Sequence, residues 1–96
     1  MAYVTITTWK MKDGTDRDAA LERARNTHMP AIKALGAVSQ TMVELSDTES
    51  ALVSEWPDKV TREAAMQKIA AIRSQVAETG EMEMTSEHKG EVLIKL

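Results

Sequence analysis

Few residues in this chain can do chemistry. There are two histidines, His28 and His88, and no cysteine. A disulfide framework, a Cys-zinc site and a thiol nucleophile are therefore excluded. His28 sits in RNTHMPAIKALG, residues 25–36, two positions before Pro30. An imidazole titrates near neutral pH, so it can take a proton from an enol or a phenol. The plainer reading is a buried neutral side chain, hydrogen-bonded to a carbonyl beside a core. The two histidines lie far apart, without H-x-x-x-H or H-x-x-E spacing. Glu87 and His88, adjacent on a strand, would point to opposite faces, so no metal site is expected. No G-x-S-x-G motif and no phosphate-cradling glycine loop is present, which removes support for hydrolase triads and nucleotides.

The aromatic residues are Tyr3, Trp9 and Trp56, with no phenylalanine. Trp9 alternates with Tyr3, Thr5 and Thr7, and that mixed face suits a cavity better than a dry core. An indole wall at Trp9 or Trp56 would stack on a flat ligand. Met42, Met66, Met82 and Met84 read as core or interface filler. Arg17 and Arg25 flank the first helix and read as solvated or salt-bridged.

The elements that must position these groups follow from periodicity. Tyr3 to Met11 alternates and is rich in β-branched and aromatic residues, so it reads as a strand. Lys12-Asp13-Gly14 turns the chain, and Thr15 to Asp18 supply cap oxygens and first-turn acids. Leu21, Ala24, His28, Ile32 and Leu35 then form a helical stripe, ended by Gly36. At 100° per residue His28 falls within about 40° of every other member of the stripe, whereas Pro30 falls opposite, toward solvent. Pro30 also removes an amide donor, which predicts a kink that opens space under His28. Val38–Leu45 and Ala51–Trp56 read as an antiparallel hairpin. Thr61 to Thr79 reads as a second helix, with Ala65, Ile69, Ile72 and Val76 on its stripe. Glu81–Glu87 reads as a fourth strand, His88-Lys89-Gly90 as a turn or bend, and Val92–Leu96 as a short terminal strand.

The order β-α-β-β-α-β is the ferredoxin-like motif, with two helices over one face of a four-stranded antiparallel sheet. Residues 1–96 form one α+β domain on this reading. Val4 and Ile6 are apolar on the face opposite Tyr3 and Trp9, so that face must also be covered. The chain is too short to supply a third layer. A homodimer with its sheets face to face is expected, and the terminal strand could reach across to the partner.

Composition supports an ordinary folded protein: 43% apolar, 28% charged and a net charge of −3. Acidic and basic residues are interspersed, so there is no basic stripe for nucleic acid. No apolar run approaches the roughly 18 residues of a membrane span. The opening MAYVTITTWKMK lacks the cationic start and apolar core of a signal peptide, and a cytoplasmic location is expected.

Three stretches carry a resemblance: VTITTWKMKDG (4–14), HMPAIKALGA (28–37) and LVSEWPDKVTREAA (52–65). With the element order, they make the chain similar to the dimeric α+β barrel superfamily. Its branches include the antibiotic-biosynthesis monooxygenase-like proteins and the group related to ethyl tert-butyl ether degradation. The resemblance implies subunits paired through their sheets and a cavity between each sheet and its own helices. It implies cofactor-free oxidation, isomerisation or decarboxylation of small phenolic or enolisable compounds. His28 would be the catalytic base, and Thr7, Trp9 and Trp56 would hold the substrate. Haem-degrading members carry an Asn on the first strand and a His on the second helix. Here Thr7 stands nearest that Asn and residues 61–79 contain no histidine, so haem is not expected. No flavin or metal motif is present either, and no cofactor is expected.

Two readings are kept apart. One is an enzyme acting on a small apolar or aromatic compound. The other is a non-catalytic dimer that binds a small ligand or serves in stress. A cavity of roughly several hundred Å³ with His28 on its wall favours the first, and a filled core favours the second.

Overall fold

The computed structural model describes all 96 residues. In chain order its elements are β1 (Tyr3–Met11), α1 (Arg17–Arg23), a π-helical turn (Ala24–His28), α2 (Met29–Lys33), β2 (Ser39–Glu44), β3 (Glu49–Trp56), α3 (Lys59–Ala64), α4 (Met66–Glu78) and β4 (Met82–Glu91). The strands form one antiparallel sheet in the order β2-β3-β1-β4. This is the ferredoxin-like α+β arrangement expected from the pattern.

The alternation in β1 sorts the sheet into two faces. Tyr3, Thr5, Thr7 and Trp9 are buried, and their partners on β3 are Trp56, Ser54, Leu52 and Ser50. This is the helix side. Tyr3 and Trp56 pack with Ala65 and Ile69, and Trp9 and Leu52 pack with Ala20 and Val76. On the opposite face Ile6 pairs with Val53, and Ile6 and Val43 remain about two-fifths exposed. That open apolar face has no cover within the chain.

The first helical stripe is as expected: Ala24 is buried, His28, Ile32 and Leu35 are half-buried, and Pro30 is exposed. The Asp16 side chain accepts from the Ala19 amide at 3.2 Å and starts the helix. Pro30 is accommodated by a π turn just before it, where the Met29 amide bonds the Ala24 carbonyl five residues back. The reason is steric: a proline ring collides with the carbonyl four residues earlier, and a locally widened helix relieves that contact. Gly36 ends the segment at φ 119°, a conformation closed to other residues. A Cβ there would come within 3.0 Å of Thr61 Cγ2.

Three boundaries differ from expectation. The second helical segment starts at Lys59, capped by Asp58 Oδ1 on the Thr61 amide at 2.8 Å, and is interrupted at Ala65 (φ −88°, ψ −3°). The interruption falls where the chain packs against Tyr3 and Trp56. His88-Lys89-Gly90 is not a turn. It continues β4, with His88 opposite Ile6 and Gly90 opposite Val4. Cross-strand pairing there outweighs the local turn preference of glycine. Val92–Leu96 forms no strand, because it runs past the start of β1: Glu91 already lies opposite Tyr3. The tail is tied by Val92 N–H to the Ala2 carbonyl at 2.9 Å and by Lys95 Nζ to Glu55 Oε1 at 3.0 Å, and Leu93, Ile94 and Leu96 are exposed. No helix is long and apolar enough to cross a membrane.

Candidate functional site

A cavity of about 50 Å³ lies between the sheet and the helices. Its floor is Thr5, Thr7 and Trp9 of β1 with Leu52 and Ser54 of β3. His28 and Met29 close it at the junction of the π turn and α2, and Arg62 and Arg73 reach it from α3 and α4. The location matches expectation, but the volume does not. Ligand sites usually enclose about 300–1,000 Å³, and one water occupies about 30 Å³ of liquid. As it stands, the cavity has room for little more than a water molecule.

Next to it is an open groove of about 340 Å³, bounded by Arg17, Arg25, Glu44 and Asp47. Cavity and groove share Met29 and Met42. These unbranched thioether side chains form the partition between the two spaces, and side chains of this kind change rotamer cheaply. Of the methionines expected as filler, Met82 is buried and Met42 partly buried, whereas Met66 and Met84 are largely exposed. Arg17 is salt-bridged to Glu44.

His28 Nδ1 is buried and has no hydrogen-bond partner. Burial pushes the His28 pKa below its usual value, and the nearby Arg23 charge adds to this, against the opposing charge of Glu81. Arg23 and Glu81 form an ion pair at 2.8 Å. The imidazole is therefore neutral at pH 7. A neutral imidazole with a free ring nitrogen has either a lone pair to accept a proton or an N–H to offer.

Thr7 and Trp9 stand where expected, on the cavity wall. The Trp9 indole N–H donates to Thr7 Oγ1 at 2.8 Å, which fixes the ring against the strand. Trp56 does not line the cavity. It is 0% exposed and packs with Tyr3, Ala37, Ala65 and Ile69. Its indole N–H is 3.4 Å from Thr5 Oγ1. The correction has a simple cause: the Tyr3–Trp56 pair lies at the far end of the sheet, under the Ala65 interruption, and the helices close over it.

Trp56 acts one layer further back, under Arg62, whose guanidinium carbon lies 5.7 Å from the ring centroid. Arg62 is 3% exposed. Its Nη2 lies 3.4 Å from Glu87 Oε2, and Arg73 Nη2 lies 2.7 Å from the same oxygen. Burial acts to raise the Glu87 pKa. The Arg73 hydrogen bond, with the charges of Arg73, Lys89 and Arg62, outweighs this and holds the carboxyl below its usual range. Burial and the Arg73 charge push Arg62 down, against Glu87, but a guanidinium stays charged.

The sequence pattern carries a signal for Arg62 that an apolar-only stripe overlooks. Arg62 precedes Ala65, Ile69 and Val76 by three, seven and fourteen positions, which places it on the buried side of the second helical segment. Glu87 is opposite Thr7 on β4 and shares its face. Nothing in the sequence announces that Arg62, Arg73 and Glu87 meet.

The chain matches no protein-family model and no curated protein. Solved structures do share its shape. SnoaB, a cofactor-independent oxygenase from Streptomyces nogalater, superposes with a TM-score of 0.75 at 11% identity, over 99% of this chain and 96% of that one. A proposed antibiotic biosynthesis monooxygenase from Nitrosomonas europaea gives 0.70 at 21% identity, over 96% and 90%. A dimeric ferredoxin-like protein from an uncultured marine organism gives 0.74 at 9% identity, over 100% and 98%. Likeness at such identities carries the fold and leaves the reaction to the site: the chain has the ferredoxin-like α+β fold found in antibiotic-biosynthesis-monooxygenase-like structures.

Proposed function

We propose that this protein is a small-molecule enzyme of the antibiotic-biosynthesis monooxygenase-like type, acting without a cofactor on a small phenolic or enolisable compound. The observation that carries the reading is His28, a neutral residue of the cavity lining whose Nδ1 is buried and unpartnered. In this reading His28 removes a proton from the substrate, while Thr7 and Trp9 hold its ring. The resulting anion gives an electron to dioxygen, recombination forms a peroxide anion, and the proton returned from His28 makes it a hydroperoxide. Loss of water then leaves a carbonyl where a CH2 stood, with one oxygen atom in the product and one in water. Without oxygen, return of the proton to another carbon is an isomerisation. The apolar walls limit water around the anion. Substrate enters from the groove when Met29 and Met42 swing aside.

The test is a panel of small phenols and enolisable ketones. Oxygen uptake and exchange of substrate hydrogen with deuterated solvent are both followed. Protein-dependent uptake or exchange is expected for at least one compound. Silence in both assays across the panel would count for the second reading, a non-catalytic ligand-binding protein of the same fold. The small volume of the cavity favours that alternative.

The same proposal includes a cytoplasmic homodimer joined through the open sheet face. Its support is the exposed apolar strip around the Ile6–Val53 pair and the exposed tail residues Leu93 and Ile94. Light scattering should report twice the chain mass for the native protein. Ile6→Lys should yield a folded monomer, because it places an unpaired charge in the centre of the contact while remaining solvated in the single chain. A native monomer, or a dimer indifferent to the lysine, removes this part of the proposal.

A further inference from the structure

We infer that the ligand of the cavity carries a carboxylate, bound by Arg62 and Arg73. This deepens the proposed function and rests on the same cavity being the binding site. The lining contains two guanidiniums and no carboxylate. Glu87, the one acid that meets them, lies outside the lining and is shared by both through a single oxygen. One negative charge against two positive charges leaves an unbalanced charge at the cavity. That charge is only partly in water: Arg62 is 3% exposed and Arg73 is half-buried. A withdrawn charge that shares its one carboxylate with a second cation is incompletely balanced, and an anionic ligand completes the balance.

The chemistry of the donors narrows the class. A guanidinium has five N–H donors in a planar fork that matches the two oxygens of a carboxylate. Arg62 makes one hydrogen bond within the protein, from Nη2 to Glu87. The Trp56 ring holds the guanidinium plane from one side. His28 lies on the same wall but is neutral, so it does not compete for the anion. A carboxylate seated on the two arginines would take up the present cavity, and the rest of the molecule would use the space opened toward the groove when Met29 and Met42 move.

The experiment compares two probes of one shape, benzoate and benzamide, by calorimetry and by the arginine side-chain N–H resonances. Benzoate is expected to bind at least about tenfold more tightly, as a charge-assisted contact implies. Its binding should shift the side-chain resonances of Arg62 and Arg73. The deciding variant is Arg73→Gln, because Arg73 is partly exposed and its loss leaves Arg62 over Trp56. In it the preference for the acid should fall to about twofold or less, with one cation now matched by Glu87. Equal affinities in the native protein, binding of neither probe at millimolar concentration, or a preference that survives Arg73→Gln would each overturn the inference. Selective benzoate binding without turnover sinks the enzymatic reading and leaves the carboxylate site standing. Turnover without any preference for the acid does the reverse.

Discussion

Replacing His28 with alanine is expected to lower turnover by about 10²–10⁴-fold, the usual contribution of a positioned general base. The fold should survive, because His28 is half-buried and its Nδ1 bonds nothing in the protein. The pH profile separates a base from a spacer. The neutral imidazole is the active form, and its pKa is lowered by burial first and by Arg23 second. The native kcat/KM should therefore hold steady from neutral pH to below about 6.5, the unperturbed histidine value, and only then decline. The alanine variant should lack that acidic decline in whatever activity remains. An unchanged rate, or the same decline without His28, assigns the proton transfer to another group.

Stability should follow the same proton. The folded pKa of His28 is depressed, so between that value and about 6.5 the unfolded chain binds more protons than the folded one. The contribution is present above the unfolded pKa and is lost as pH falls through the folded one. Urea midpoints should drop across this window in the native protein and less so in His28→Ala.

Trp56→Ala is expected to destabilise the chain by about 3–5 kcal/mol, the range for truncating a buried indole. Domains of this size have only about 5–15 kcal/mol in total, so a large drop in Tm or outright unfolding follows. The size of the effect comes from position. Trp56 is 0% exposed, packs against Tyr3, Ala37, Ala65 and Ile69, and lies beneath the Arg62 charge. Removing it opens a void and leaves a buried guanidinium without its aromatic surface. Trp56→Phe should cost much less, since it keeps the ring under Arg62 and loses only the long N–H contact to Thr5. If Trp56 were a substrate wall, both variants would change KM and barely move the urea midpoint. That outcome, or a loss below about 1.5 kcal/mol for alanine, contradicts its place as the anchor of this cluster.

These two residues also divide what was legible in the sequence from what was not. Periods of two and of 3.6 are local properties, repeated over many residues. They determine that Tyr3–Met11 is a strand, that the segment around RNTHMPAIKALG is a helix with Pro30 outward, and that the order is ferredoxin-like. They also place His28 on the buried stripe, because one wheel position follows from its neighbours. Gly36 ends the segment for an equally local reason, its positive φ.

The remaining features depend on contacts between residues distant in sequence. Gly90 looks like a turn residue, yet pairing with Val4 keeps it in β4. Trp56 ends a strand in a way that suits either a core or a pocket, and the helices covering it decide for the core. Arg62, Arg73 and Glu87 come from three elements, and although the helical period puts Arg62 on the buried side, no local pattern joins the three. Only the packing of α3, α4 and β4 brings two guanidiniums to one carboxylate oxygen beside a cavity. A sequence pattern reports which side of an element is apolar. It cannot report which charged side chains from separate elements meet there, because that depends on how the elements pack.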